Sequence, residues 1–556
     1  YSPIFGRRAR ESQESMFRVL AAFCALLGFF NFGPAREKMF FVRAFRASPS
    51  ATRFAAHTVH YRNTFRTTLQ QRFNPTVGFA SIAGESIAAQ NDAASNPIKV
   101  PLKFVPRPFS YRQEVDIKIE TLTNRGLGIG RVELSDDQVK ALEQPRQETS
   151  SKRSRRSSKS KEKEDDPVDL HDNGKPNQWV IMVPAVIPGE VVRVSVYRNF
   201  RNYSEADLLE ILEKSPDRIT PFCPLAGDCG GCQLQHMSIE SQRRMKTQQV
   251  EENLKQYKID NVSVEPCLGT AEVFGYRSKL TPHYDYPVKS RRGRKNVGPA
   301  QIDDPDVKRI EAIGFQKQAS RQLIDIPQCP IGTPEVNVAY ATLREKLLSE
   351  PPTRKKGATL LLRQANIGDE HVETDHHAFL TTTVRGLDFS YRAGNFFQNN
   401  YYVLPLMVDH VVKEATRGDD MTHLADCYCG SGLFAISAAA HFKKVVGIEI
   451  NDKAIAEATA NAKKNDITNC EFQAASAENI FSVIQDFPRD TTAVVLDPPR
   501  KGCSTDFLNQ LLDFAPRRIV YMSCDATTQA RDAVSLVAEG AYRITAVQPF
   551  DLFPQT

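Results

Sequence analysis

The sequence predicts an α/β protein in three parts: a small N-terminal β-barrel domain, a mixed middle domain and a C-terminal Rossmann-like domain on a parallel sheet. Three observations carry this. Between residues 396 and 551, strand-like runs (VVGIEI, AVVLDPP, RRIVYMSC) alternate with helical ones (FAISAAAHF, AIAEATANAKKN), the pattern of a sheet with crossover helices. From 112 to 198, short alternating segments are divided by glycine and proline turns. At 556 residues the chain is too long for one ordinary core.

Composition narrows the class further. Hydrophobic residues at 41% and charged residues at 25% are globular values, which exclude a collagen, a wholly disordered chain and a many-span membrane protein. No transmembrane segment is expected. Lys and Arg exceed Asp and Glu by 72 to 66, an excess too mild to imply a nucleic-acid partner by itself. Eleven cysteines are too sparse for a disulfide scaffold, so their spacing matters more than their number.

Residues 1–108 read as a leader. The chain begins at Tyr1, as a fragment or processed product would. Val19–Phe32 is an apolar run of 14 residues, short for a bilayer span and consistent with a signal-type segment or a gene-model join. Between Met39 and Gly84 stand six arginines and no acidic residue, the composition of a mitochondrial presequence. The expected location is the mitochondrion, the nucleus and cytoplasm, or both.

The β domain occupies 109–215. Val115, Ile117 and Ile119 alternate with polar residues, a half-buried strand. VIMVP, PGE and VVRVSVY read as strand, turn, strand. The insert at 144–177 contains SSKRSRRSSKSKEKEDD, which cannot build a core and is expected to be disordered. The middle domain, 216–395, is basic and bears cysteines. From 336 to 395 it reads as strand-rich, with ATLLLR and HAFLTTTVRG as candidate strands. KSRRGRK at 289–295 reads as a basic loop suited to an RNA backbone.

The last domain, 396–556, carries the chemistry. DCYCGSGLF runs from Asp426 to Phe434 between a strand and a helix. Gly430 and Gly432 let a small cofactor approach the backbone. The pattern is neither the three-glycine dinucleotide fingerprint nor a P-loop. Glu449 ends the next strand, where a carboxylate can accept hydrogen bonds from ribose hydroxyls. Asp497, Pro498, Pro499 and Arg500 stand at the end of another strand, the edge at which open α/β sheets bind ligands. Together these read as an S-adenosylmethionine site. Amine methyltransferases with an Asp-Pro-Pro loop usually follow it with an aromatic residue, and Arg500 points away from that chemistry. Cys524, after IVYM, faces the same edge and is the candidate nucleophile. Cys427, Cys429, Cys470 and Cys503 fit the commoner fate of buried thiols.

DCYCGSGLF, GIEI, VVLDPPRKG, IVYMSCD, DLFPQT and the upstream GNFFQNN at 394–400 resemble the RNA uracil-5-methyltransferase family, nearest its fungal and other eukaryotic tRNA members. The likeness covers about residue 110 to the end. It implies that Gln398, Tyr428, Gly430, Gly432, Glu449 and Asp497 surround the cofactor. It also implies that Cys524 adds to C6 of a uracil flipped out of its stack, giving C5 the enolate character that attacks the methyl group. The β domain looks like the family's TRAM RNA-binding module, and FGYRSKL at 274–280 resembles its tyrosine-arginine motif near bound RNA. The implied substrate is tRNA at the T loop. Alternatives are the same reaction on ribosomal RNA and a non-catalytic tRNA-binding or tRNA-folding protein. A monomer is the expected state. The chain departs from the family at Leu433 and Asp525, where relatives carry Asn. The family's general base, a glutamate in a T-x-H-x-E continuation of FPQT, is expected beyond Thr556; Asp551 is not assigned that role.

Cys223, Cys229 and Cys232 are spaced C-x5-C-x2-C, and Cys329 follows in IDIPQCPI. Four soft thiolates with glycines between them can wrap a metal or a cubane, and the sequence does not choose zinc over iron. The arrangement resembles the [4Fe-4S] ligand set of ribosomal-RNA relatives, which implies a structural or RNA-positioning cluster; a vestigial, unoccupied site is the alternative. His236 reads as a polar helix residue, and Cys267 as a buried thiol outside the set.

Overall fold

The computed structural model describes residues 30–32, 100–101, 104–143, 177–285, 310–350, 352, 357–418 and 420–556. The arginine-rich leader, the basic loop 289–295 and all but the last residue of the 144–177 insert lie outside the described residues, as does the apolar leader run except for its last three residues. Those three form β1 (Phe30–Phe32), an antiparallel strand of the C-terminal sheet.

The N-terminal strands close into a five-stranded barrel. β2 (Glu114–Leu122), β3 (Gly128–Glu133), β4 (Gln178–Val183), β5 (Val191–Asn199) and β6 (Tyr203–Glu213) follow one another in space as β2-β3-β4-β6-β5. A short helix, α1 (Asp136–Glu143), follows β3. Alternation puts Ile117, Ile119, Ile181, Val183, Val192, Val194 and Val196 inside, as a period of two requires. The strand β6 was not among the sequence expectations; it pairs in parallel with β4 and so closes the barrel.

A small apolar cluster of Leu122, Ile187, Leu234, Met237 and Met245 docks the barrel on the middle region. Beside it the buried carboxylate of Glu190 accepts from Arg218 at 2.5 and 2.7 Å. His236 is not in a helix as expected. It lies in the turn before α2 (Ile239–Gln256), buried, with Nε2 at 3.2 Å from the Val186 carbonyl; Ser238 caps the helix and so fixes its start after His236.

Short strands build the rest of the middle region: β7 (Lys279–Leu280), β8 (His283–Tyr284), β9 (Ile313–Gln316), β10 (Leu323–Asp325), β11 (Ala358–Thr359), β12 (Leu362–Gln364) and β13 (Val372–Glu373), with the hairpin β14 (Phe379–Val384) and β15 (Leu387–Arg392). ATLLLR does not form one strand. It is shared between two sheets, β11 pairing with β8 and β12 with β7 and β13. The strand-rich reading of 336–395 is also corrected. Its first part is the helix α3 (Pro334–Ser349), started by the Thr333 cap and Pro334, with Val336 and Tyr340 buried one turn apart.

The C-terminal sheet has the order β18-β17-β16-β19-β20-β1-β21. It contains β16 (His423–Cys427), β17 (Lys444–Glu449), β18 (Cys470–Ala474), β19 (Thr492–Leu496), β20 (Arg518–Tyr521) and β21 (Ile544–Ala546). The first five strands are parallel. Their apolar runs are continuous because both faces are covered. Ala493 and Val495 enter one core, while Val494 and Leu496 enter the other. The helices around it are α4 (Leu404–Ala415), α5 (Leu433–Ala438), α6 (Asp452–Lys464), α7 (Ile480–Val483), α8 (Thr505–Phe514) and α9 (Ala526–Val537). No helix among the described residues is long and apolar enough to cross a membrane.

The segment Asp551–Gln555 runs back into the middle region. Lys246 Nζ donates to the fully buried Asp551 carboxylate at 2.6 Å. Gln242 exchanges hydrogen bonds with Gln555, Tyr276 donates to the Pro554 carbonyl and Asn400 to that of Leu552.

Candidate active site

Strand order reverses between β16 and β19, the place where such sheets open a crevice. Cys427 and Leu496 end those two strands in register, so Tyr428 and Asp497 leave the sheet side by side. A cavity of about 800 Å3 lies there. Gln398, Tyr428, Gly430, Glu449, Asp497 and Cys524 all line it. Gly432 does not; its part is conformational, with a left-handed φ of +89° that strains other residues and a Cβ position only 2.8 Å from the Ile436 side chain, which a larger residue would have to displace.

The glycine loop is turned by left-handed residues at Tyr428 (φ +69°) and Gly430 (φ +53°). Nothing stands within 4 Å of a Cβ placed on Gly430, whose backbone is therefore open to a ligand. Asp426 is buried beneath the loop, and its carboxylate accepts from the Ala435 amide at 2.9 Å. Burial, with the charges of Asp497 and Glu449 adding to it, pushes its carboxyl up to about 8. Glu449 accepts from the Asn451 amide at 3.0 Å and keeps its other oxygen for the cavity. Asp497 is partly open to the cavity but enclosed by its walls, and lost hydration pushes it up to about 7.

Cys524 is half-buried in the lining of the same cavity. Burial and the Asp497 carboxylate push its thiol above the ordinary range; the Arg500 guanidinium, within hydrogen-bonding reach, pulls the other way. A cation beside a thiol favours the nucleophilic thiolate. Cys427, Cys429 and Cys503 are buried, and burial holds each thiol above its usual value.

Gln398 arrives on the loop 394–400. Arg363, fully buried in β12, holds that loop by donating to the carbonyls of Ala393, Asn395 and Phe397 at 3.1, 2.6 and 3.0 Å while lying over the Tyr391 ring. Phe396 and Ile450 also line the cavity, and both are three-quarters exposed. The sequence reading assigned no role to Arg363, Arg500, Phe396 or Asp426. An arginine inside the apolar LLLRQA run was the one available signal, since a charge there must be buried against partners.

The middle cysteines come together electrically. Cys232 feels the charges of Cys223, Cys229 and Cys329, and Cys329 those of Cys223 and Cys229. Burial is the first cause that raises all four, to about 12 for Cys232 and about 11 for Cys329. Asn337 fixes Cys329 by hydrogen bonds to its amide and carbonyl at 2.9 and 3.0 Å. No three His, Cys, Asp or Glu groups among the described residues converge closely enough for a single metal ion. Cys267 stands apart and buried, as expected.

The family model described as tRNA (Uracil-5-)-methyltransferase matches residues 367–556. The Schizosaccharomyces pombe protein named tRNA (uracil(54)-C(5))-methyltransferase is 37% identical over 466 residues, covering 81% of this chain and 77% of the relative. The Saccharomyces cerevisiae protein of the same name is 32% identical over 450 residues, covering 70% and 69%. Among solved structures, Pyrococcus abyssi tRNA (uracil-54, C5)-methyltransferase in complex with S-adenosyl-L-homocysteine overlays with a TM-score of 0.51 at 23% identity, covering 68% of this chain and 93% of that one. That overlay speaks for the fold.

Proposed function

The chain belongs to the tRNA (uracil-5-)-methyltransferase family, and we propose that it methylates C5 of uracil 54 in tRNA through a covalent adduct on Cys524. The observation that carries this is the shared cavity, lined by Cys524 and Arg500 together with Glu449 and the glycine loop. S-adenosylmethionine supplies the electrophilic methyl group. The residues fit it, since Gly430 leaves its backbone open and Glu449 presents a free carboxylate oxygen.

Cys524 loses its proton with help from the Arg500 charge, and the thiolate forms a bond to C6 of the flipped base. The C5–C6 π pair becomes the enolate, which would take the methyl group at C5 as the donor's methyl–sulfur bond breaks and its electron pair stays on sulfur. A general base then removes the C5 proton, and that electron pair restores the double bond and expels the thiolate. Gln398, on the loop that Arg363 fixes, lines the same cavity and is read as a contact of the cofactor.

For Cys223, Cys229, Cys232 and Cys329 our reading is an iron–sulfur cubane, supported by the mutual charge effects of the four thiols. Zinc would draw four sulfurs to about 2.3 Å from one point, whereas a cubane holds its ligands farther apart on separate irons. In our reading the cluster supports structure or RNA placement. The six arginines between Met39 and Gly84, with no acidic residue among them, support a mitochondrial address.

Nucleoside mass spectrometry of tRNA and ribosomal RNA from a deletion strain, complemented with wild type or Cys524→Ala, tests the function. Loss of 5-methyluridine from tRNA alone, restored only by wild type, is expected. Loss from ribosomal RNA instead would move the substrate, and restoration by C524A would remove the nucleophile.

A further inference from the structure

Cys524 is followed at once by α9, whose first turn is capped by Asp525 accepting from the Thr527 and Thr528 amides at 3.1 and 3.2 Å. Thr528, Arg531 and Asp532 lie at i, i+3 and i+4 and so share one face of the helix. Each of them holds the loop that follows Asp497. Thr528 Oγ1 donates to the Arg500 carbonyl at 3.0 Å, and Arg531 donates to the Lys501 carbonyl at 2.9 Å. Asp532 accepts from the Cys503 amide at 2.8 Å.

Between these contacts stands Gly502, at φ +76°. A Cβ there would lie 2.5 Å from both the Arg531 guanidinium and the Asp532 carboxylate, so a larger residue would have to displace the two side chains of the grip. Asp532 is 1% exposed and also accepts from Tyr521 Oη at 2.8 Å, which joins β20 to the same carboxylate.

We infer that Thr528, Arg531 and Asp532 are positioning residues, a helical grip that fixes the Asp-Pro-Pro-Arg loop so that Arg500 is held against Cys524. The inference rests on reading Cys524 as the nucleophile. The loop and the nucleophile come from different strands, β19 and β20, and no bond along the chain sets their spacing. The grip does, because the helix that carries its three side chains begins one residue after the thiol. The charged groups that act on Cys524 are Asp497, Arg500 and Asp525. Only Arg500 favours the thiolate, so a slackened loop weakens the one group that activates the nucleophile.

Asp532→Asn leaves the shape but replaces one acceptor oxygen with a donor facing other donors. Thr528→Val removes one hydroxyl, and with it the contacts to the Arg500 and Asp525 carbonyls, from a partly exposed helix face. In the full-length protein, D532N should lower single-turnover adduct formation by about tenfold to a hundredfold, as small misplacements at reacting groups do. KM for tRNA and the Kd for S-adenosylhomocysteine should stay within about twofold, since the grip touches neither the loop 394–400 nor Glu449. T528V should show the same split at a smaller size, and serves if D532N does not fold.

Iodoacetamide labelling of the Cys524 peptide, followed by mass spectrometry across pH, separates positioning from general support of the fold. The labelling profile should move to higher pH in D532N and T528V, and neither should add to the effect of Arg500→Met. An unmoved profile, or effects that simply add to those of R500M, would overturn the grip. Labelling needs no RNA methylation, so the outcome stands even if C524A proves active and the function reading fails.

Discussion

Cys524 stands at a cavity wall with a guanidinium in reach, whereas Cys223, Cys229, Cys232 and Cys329 face one another, with no lysine or arginine among the groups that shift them. Burial raises all five thiols. What differs is the remedy each place offers. A lone thiol beside a cation can lose its proton to solvent or a base and act as a nucleophile. Four crowded thiols repel as they ionise, so they lose their protons together only when a metal takes the protons' place. In the reading proposed above, the same residue type is a reactant in one region and a ligand set in the other.

The largest expected effect tests the ligand set. Purified without oxygen, the wild-type chain should carry about four irons and four sulfides, and Cys232→Ser should carry almost none. Cys232 is the choice because the charges of all three others act on it. Labelling of Cys524 should be unchanged in C232S; a changed rate would join the two regions and break the contrast.

Next in size is pH. The Cys524 thiol sits above its usual range, so its thiolate is scarce at neutral pH, and labelling should rise up to about tenfold per pH unit between pH 7 and 9. Asp497, pushed up to about 7, gains its charge between pH 6 and 8 and should flatten the rise there, because a new anion disfavours the thiolate. A plateau below pH 8 would mean a thiol already ionised.

Arg500→Met removes the cation and should slow Cys524 labelling at pH 7.5 by about tenfold, because without the neighbouring positive charge a smaller fraction of the thiol is ionised. The smallest effect belongs to Glu449→Gln. It keeps one acceptor and loses a charge, so calorimetry should find S-adenosylhomocysteine binding weaker by about fivefold, with thiol labelling unmoved.

What the sequence made legible is what neighbouring residues decide. DCYCGSGLF, GIEI, DPPR and SCD each announce a strand end from a few adjacent positions, and the sheet brings those ends to one crevice. The helix α3 escaped because Val336, Val338 and Tyr340 look like strand residues, although Thr333 and Pro334 offered a start signal. The partners of Arg363 are carbonyls 30 to 34 residues away. The grip on Arg500 reaches across 28 residues and depends on the turn of a helix. Such contacts have no local signature. They exist only once two elements have packed.

The ion pair between Lys246 and Asp551 has a consequence for synthesis. Its partners are separated by 305 residues, and the Gln242–Gln555 pair by 313. While the ribosome makes the intervening chain, the inner face of α2 presents an ammonium and an amide that nothing yet answers. Contacts so distant along the chain form late, and removing one partner of a buried pair costs about 3–5 kcal/mol. The barrel can close as soon as Glu213 emerges. The middle region cannot finish until Asp551 and Gln555 arrive, so it must wait open, in the care of solvent or a chaperone, for most of the time the protein takes to be made.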